Sequence, residues 1–125
     1  MRPLPLILAA ALLAPGAAFA AEPANLAGLW HITTMTVGMP IKVDCKLTQA
    51  GAALSGTCGL ANDARDAGTA IAGVVDGAHA TWGYEAHFQT MVLKIGFDGQ
   101  VKSAKAMDGT MTNSGMPSPF TAVKE

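Results

Sequence analysis

The chain has 125 residues and a formal net charge of −1; half of its residues are apolar and 14% are charged. Its eight lysines and arginines are dispersed, so no basic cluster indicates binding to nucleic acid or to an anionic membrane. The length suits one domain, and two cysteines allow one intramolecular disulfide.

The first twenty residues have the pattern of a secretory signal peptide. Arg2 supplies the positive charge, an apolar run covers residues 4–14, and Ala18 and Ala20 are the small residues that a signal peptidase requires. The run is too short to span a bilayer. We therefore predict a leader over residues 1–20 and one mature domain over residues 21–125. This domain is expected to be periplasmic or secreted, with no nucleic-acid partner and no membrane partner after cleavage.

The first strand is predicted from Gly28 toward Val37, and residues 38–40 interrupt it. Residues 41–60 then predict a β-hairpin, because apolar and polar side chains alternate on both sides of Gly51. A glycine followed by Ala52 favours a two-residue type II′ turn.

The register of this hairpin predicts a disulfide. Counting outward from the turn places Cys45 opposite Cys58 at a non-hydrogen-bonded pair, where side chains come closest. Cysteines in an exported chain favour such a bond, and closing this short loop contributes about 3 kcal/mol. We interpret it as a structural bond, since both sulfur atoms face inward and no C-x-x-C motif is present.

The remainder of the chain predicts further short strands. A polar loop is predicted for residues 62–68, and strands are predicted for residues 71–75, 78–88, 90–97, 106–112 and 120–124. Their connections are a turn at Asp76-Gly77, residues 102–105, and a Gly/Pro loop over residues 113–119. No useful helical periodicity follows the leader. The predicted fold is all-β, an eight-stranded antiparallel up-and-down barrel, because closure buries the apolar face and removes sheet edges.

A weak repeat, apolar-x-Gly-x-apolar, supports a strongly coiled sheet. Glycines on the inward face can let strands bend at barrel corners, or can leave room in the lumen for a ligand. Both interpretations stay open from the sequence. The glycines concerned are Gly56, Gly73, Gly99 and Gly109, of which Gly56, Gly73 and Gly109 carry the ligand interpretation.

Leu26, Gly28 and Trp30 form an L-x-G-x-W motif at the start of the first strand. This motif resembles the calycin-like barrels: lipocalins, avidins and small secreted bacterial inhibitors of metalloproteases. The resemblance implies that Trp30 packs across one end of the barrel. The chain looks most like a group of small exported bacterial proteins with repeated L-x-G-T strands. Residues 31–35 lack the Asn, Ser and Tyr pattern by which avidins hold biotin, so the resemblance does not imply biotin binding.

Ligand binding is the leading functional hypothesis. The predicted strands place several aromatic and flexible apolar side chains in the lumen, where they would contact a small apolar or aromatic molecule. No cofactor is expected. The candidate ligand-binding residues are Trp82, Tyr84, Phe88, Met91, Leu93, Met107 and Met111.

Catalysis is a weaker alternative. Tyr84, Glu85 and His87 could serve a cofactor-free lyase, cyclase or isomerase at the barrel mouth, provided that a bulge near Gly83 brought them together. Glu85 and His87 are also neighbours on one strand face. Two ligands do not make a zinc site, and His79 lies too far along the strand, so no metal is predicted.

A protein partner is the remaining alternative. In the inhibitor family, the resemblance implies insertion of the N-terminal segment into a protease cleft, which would fall to residues 21–25 here. The two loops predicted over residues 62–68 and 113–119 are further candidate recognition surfaces, because loops on a rigid barrel often carry binding residues.

Overall fold

Alternating side chains organise the chain into eight antiparallel strands. The computed structural model describes residues 22–36, 38–63 and 68–125. Each strand pairs with the next, and the last pairs with the first, so the predicted closed up-and-down barrel is confirmed. The strands are β1 (Gly28–Thr36), β2 (Met39–Ala50), β3 (Ala53–Leu60), β4 (Thr69–Asp76), β5 (His79–Phe88), β6 (Met91–Ser103), β7 (Ala106–Asn113) and β8 (Met116–Lys124).

The N-terminal leader prediction, residues 1–20, lies outside the described residues. Within those residues, no helix is long and apolar enough to cross a membrane.

The predicted β2–β3 hairpin and its disulfide are confirmed. Pairing runs without a break from Ala50 opposite Ala53 outward, and it places Cys45 opposite Cys58. These two cysteines form the disulfide, with their Cα atoms 4.1 Å apart, as expected of a non-hydrogen-bonded pair. Gly51 has a φ of 60°, as the first position of a type II′ turn requires.

The β4–β5 turn lies one residue later than predicted. Asp76 is the last residue of β4 and pairs with His79, so the turn consists of Gly77 and Ala78. Gly77 has a φ of 60° and takes the same turn position as Gly51. A type II′ turn needs positive φ only at its first central residue, which is where glycine stands in both hairpins.

The predicted loop over residues 113–119 is wrong for most of its length, because β8 already begins at Met116. Ser114 and Gly115 make the turn, with φ values of 51° and 90°. Residues 116–119 pair with β7, but the β1–β8 pairing ends at Thr34 opposite Phe120. Pro117 and Pro119 therefore occupy an edge, where a missing N–H costs no ladder hydrogen bond.

Strand β6 also extends further than predicted, continuing beyond Phe97 to Ser103. It pairs with β5 along residues 79–88 and with β7 along residues 106–113. The register shifts between Val101 and Ser103, immediately before the β6–β7 turn at Ala104 and Lys105.

Two inward-facing glycines allow neighbouring strands to approach closely. Gly73 lies opposite Trp82, and a Cβ there would overlap the Thr81 carbonyl oxygen and lie 2.5 Å from the Trp82 Cβ. A Cβ at Gly109 would overlap the carbonyl oxygen of Asp98. These positions favour the barrel-corner interpretation of the glycine repeat.

The segment that precedes β1 closes one end of the barrel. The Ala24 amide donates to the Gly77 carbonyl over 2.9 Å, and the Leu26 amide donates to the Gln49 Oε1 over 2.7 Å. The Trp30 indole Nε1 donates to the Leu26 carbonyl over 2.9 Å. Leu26 and Trp30 are fully buried. We call this the closed end; it also carries the β2–β3, β4–β5 and β6–β7 turns.

Candidate functional site

The opposite end, which we call the open end, contains a cavity of about 640 Å³. It lies among the strand ends that meet the β1–β2, β3–β4, β5–β6 and β7–β8 connections. Packing therefore divides the barrel into two halves, since large side chains fill the closed half and leave this space above them. The cavity is the principal candidate site among the described residues.

The cavity lining is mainly apolar, and polar residues join it near the strand ends. The apolar lining comes from β2, β3, β5, β6 and β7, and it includes Ile41, Val43, Leu60, Leu93, Ile95, Phe97 and Met111. The polar side chains near the strand ends include Thr36, Asp63, Thr69, His87 and Asn113. Such a lining suits a molecule with an apolar body and a polar group directed outward.

An aromatic cluster forms the floor of the cavity around Phe97. The Phe97 ring stacks on Trp82 with a centroid distance of 5.0 Å and meets Phe120 edge to face at 5.3 Å. Tyr84 lies 6.4 Å from Phe97 on the cavity side. These offset and edge contacts are the arrangements that aromatic rings prefer, so the floor is a rigid apolar surface.

Trp82 lies behind Phe97, one layer below the cavity lining. Its side chain is buried, and its Nε1 has no hydrogen-bond partner among the described residues.

The structure brings three of the predicted ligand-binding residues to the cavity: Tyr84, Leu93 and Met111. Trp82 and Met107 are instead buried in the packed half of the barrel. Met91 begins β6 at the edge of the opening, where its side chain is 57% exposed and does not line the cavity. The prediction for Phe88 concerns a side chain outside the described part of the structure.

The three candidate catalytic residues are not brought together. Tyr84 and His87 both border the cavity, but Glu85 is exposed on the outer face, opposite Lys94 of β6. The bulge suggested near Gly83 is absent, because the β5–β6 register is continuous from His79 to Phe88. Regular alternation therefore directs Glu85 outward, and His87, which shares this face, borders the cavity only because it lies near the open end of β5.

Threonine side chains of β1 were missed as candidate site residues. Thr34 is 2% exposed, lines the cavity and donates from its Oγ1 to the Pro119 carbonyl over 2.9 Å. This hydrogen bond joins β1 and β8 where their ladder has ended. Thr34 and Thr36 share the inward face with Trp30 and Ile32, so the period-2 alternation contained the signal that could have identified them.

His31 lies on the outer wall between two carboxylates, those of Asp44 and Glu125. Its Nδ1 lies 2.8 Å from Asp44 Oδ1, and its Nε2 lies 3.0 Å from Glu125 Oε1. The hydrogen bonds to Asp44 and then to Glu125 raise the pKa of His31 above its usual value of 6.5. The protonated ring donates from both nitrogen atoms to the two carboxylates.

The His31 interactions predict a small pH dependence of stability. A raised pKa in the folded state gives stabilisation that is complete below the unfolded pKa and is lost as the pH rises through the folded pKa. The change stays within about 1 kcal/mol, because the group is solvent-exposed. Urea unfolding between pH 5.5 and 8.5 should show this decline in the native protein and a flatter profile in His31→Gln.

A companion variant tests the cause of the shift. Asp44→Asn should lower the pKa of His31 in an NMR titration, because it removes the stronger of the two carboxylate partners. An unchanged titration in Asp44→Asn would contradict this account.

Within the described residues, no three His, Cys, Asp or Glu side chains are grouped closely enough to hold a metal ion. His79 instead lies with its Nε2 2.6 Å from Asp98 Oδ1 on the outer wall.

Comparisons with known proteins gave no significant match to a protein-family model, a curated protein or a solved structure.

Proposed function

We propose that this protein is an exported calycin-like barrel that binds one small apolar or aromatic molecule in the cavity at its open end. The observation that carries the proposal is a cavity of about 640 Å³ with an aromatic floor, apolar walls and a few polar residues near its opening. Ligand sites of small-molecule binders have volumes of roughly 300–1,000 Å³ and the same combination of apolar walls with few polar groups.

Two side chains support recognition of an apolar or aromatic body. Phe97 presents a rigid ring at the floor, and such a ring favours offset or edge contact with a second aromatic group. Met111 lines the wall beside it, and its flexible thioether can adapt to the shape of the occupant. The polar groups at the opening would orient the outer part of the ligand.

The calycin-like assignment and export draw on other features. Trp30 packs across the closed end and is held by the segment that precedes β1, as the motif resemblance implies. The Cys45–Cys58 disulfide suits an oxidising compartment, in agreement with the leader expected over residues 1–20. Determining the N-terminus of the exported protein tests this part; cleavage after Ala20 is the expected result.

The ligand proposal predicts that filling the cavity abolishes binding. Met111→Trp and Leu93→Trp should each weaken the binding of an apolar fluorescent dye at least tenfold, because the larger ring occupies the ligand's space. Fluorescence titration measures the affinity, and native mass spectrometry of protein purified from its host shows any bound molecule. Val74→Trp is the matched control, since Val74 is exposed on the outer wall.

Two results would contradict the ligand proposal. The first is unchanged dye binding in both folded cavity variants. The second is a native protein that carries no small molecule and binds neither dye nor host lipid.

The alternative functions have less geometric support. The inhibitor hypothesis needs a free N-terminal segment, but Ala24 is hydrogen-bonded to Gly77 and to Gln49, which holds this segment against the barrel. The enzyme hypothesis requires Tyr84, Glu85 and His87 at one site, but only Tyr84 and His87 line the cavity. Binding therefore remains the function that we propose.

A further inference from the structure

The exposed apolar side chains are concentrated at the open end. Among the described residues, eight large hydrophobic side chains are substantially exposed, and six of them lie near the open-end connections. The other two, Val74 and Val123, lie on the outer wall toward the closed end. We call the first group the apolar rim; it consists of Met35, Met39, Leu60, Met91, Val92 and Met116.

The apolar rim follows the strand order around the opening. Strands β8, β1, β2 and β3 are consecutive in the barrel, and each contributes one rim residue, while β6 contributes two. Three strands begin with a rim methionine directly after an open-end connection: Met39, Met91 and Met116. Met116 and Met39 are the most exposed of the rim, at 72% and 65%. Single exposed apolar residues need no explanation, but a group around one opening indicates an interaction surface.

The size of the open end argues against a second copy as the stable occupant. Eight strands at a spacing of about 4.8 Å and a tilt of about 40° enclose a barrel about 16 Å across. Even with its side chains, such an end covers a few hundred Å², whereas a stable protein interface buries roughly 800 Å² on each partner. A ring of this size can contact another barrel only weakly.

A lipid surface fits the same ring better. Flexible methionine side chains at separate strand ends can insert to a shallow depth in the interfacial region of a bilayer, and no matching protein shape is required. Among the described residues near the rim, Lys42 and Lys94 are accompanied by Asp63 and Glu85, so the charges are balanced. The contact would therefore depend on apolar insertion and would not need anionic lipid.

We propose that the open end docks reversibly on a neutral lipid surface through the apolar rim. This differs from the sequence-based expectation of no membrane partner, which considered only the absence of basic clusters. Docking would place the cavity opening against the bilayer. Docking itself needs no ligand. Transfer of a ligand between the bilayer and the cavity is a further step, and it rests on the proposed function.

The test is binding of the purified protein to vesicles of zwitterionic phosphatidylcholine, measured by co-sedimentation. The rim variant replaces Met39, Met91 and Met116 by serine. The matched control replaces Val74 and Val123 by serine, which removes exposed apolar groups from the wall only. We expect the native protein and the control to bind, and the rim variant to lose at least tenfold in partition coefficient while its thermal unfolding stays cooperative.

Three results would overturn the proposal. The first is a native protein that does not sediment with the vesicles, and the second is a folded rim variant that binds as well as the native protein. The third is a dimer in sedimentation velocity without lipid that the rim variant loses, which would assign the rim to contacts between copies. Dye binding in the absence of vesicles reports on the cavity separately, so failure of docking and failure of ligand binding are distinguishable.

Discussion

Replacing Trp30 with alanine is expected to lower the free energy of unfolding by about 3–5 kcal/mol, the range for large aromatic residues removed from a core. The side chain is 0% exposed and packs at the closed end. Its loss would leave a void beneath the N-terminal segment and would leave the Leu26 carbonyl without the indole donor. Urea unfolding followed by circular dichroism measures the change.

A second variant separates packing from hydrogen bonding at this position. Trp30→Phe keeps an aromatic ring but removes the Nε1 donor, so we expect a smaller loss of about 1–3 kcal/mol. The order of stability should be native, Trp30→Phe and then Trp30→Ala. If the free energy of unfolding of Trp30→Ala lies within 1 kcal/mol of the native value, the stability of the closed end does not depend on this side chain.

The β2–β3 hairpin was accessible to sequence reasoning because local signals agree there. Alternation fixes the inward face, and Gly51 fixes the turn, so the pairing of Cys45 with Cys58 follows by counting. The start of β8 was not accessible in the same way. Pro117 and Pro119 locally indicate a loop, and only the end of the β1–β8 ladder explains why a strand tolerates them.

The cavity shows where alternation stops being informative. Trp82 and Tyr84 are two residues apart on the same inward face, yet Trp82 is buried in the packed half and Tyr84 lines the cavity. Period 2 gives the direction of a side chain but not its depth along the barrel axis. Depth depends on strand register and on the volumes of facing side chains such as Phe97 and Phe120, which come from distant parts of the chain.

The candidate catalytic residues illustrate a related limit. Grouping Tyr84 with Glu85 and His87 required an irregularity that the sequence does not specify, and β5 is regular. Thr34 was missed because its side chain is polar, although the alternation along β1 assigns it an inward position. In both cases residue type was misleading, and the regular alternation along the strand gave the correct face.

Removing the disulfide with the double variant Cys45→Ala/Cys58→Ala is expected to cost about 3 kcal/mol in the free energy of unfolding. The bond joins neighbouring strands across a sequence separation of 13 residues, and its loss enlarges the conformational freedom of the unfolded chain. Because both sulfur atoms are buried, a reductant should act on the native protein slowly and on the unfolded protein quickly.

Pairing alone should hold the hairpin in register after the bond is removed. The residues next to the disulfide, Lys46 and Thr57, face each other on the outer side of the same two strands. Lys46→Ala/Thr57→Ala is therefore a matched control for which we expect a change of about 0.5 kcal/mol or less. Comparable losses in the two double variants would mean that cross-strand packing, and not the covalent bond, stabilises this part of the wall.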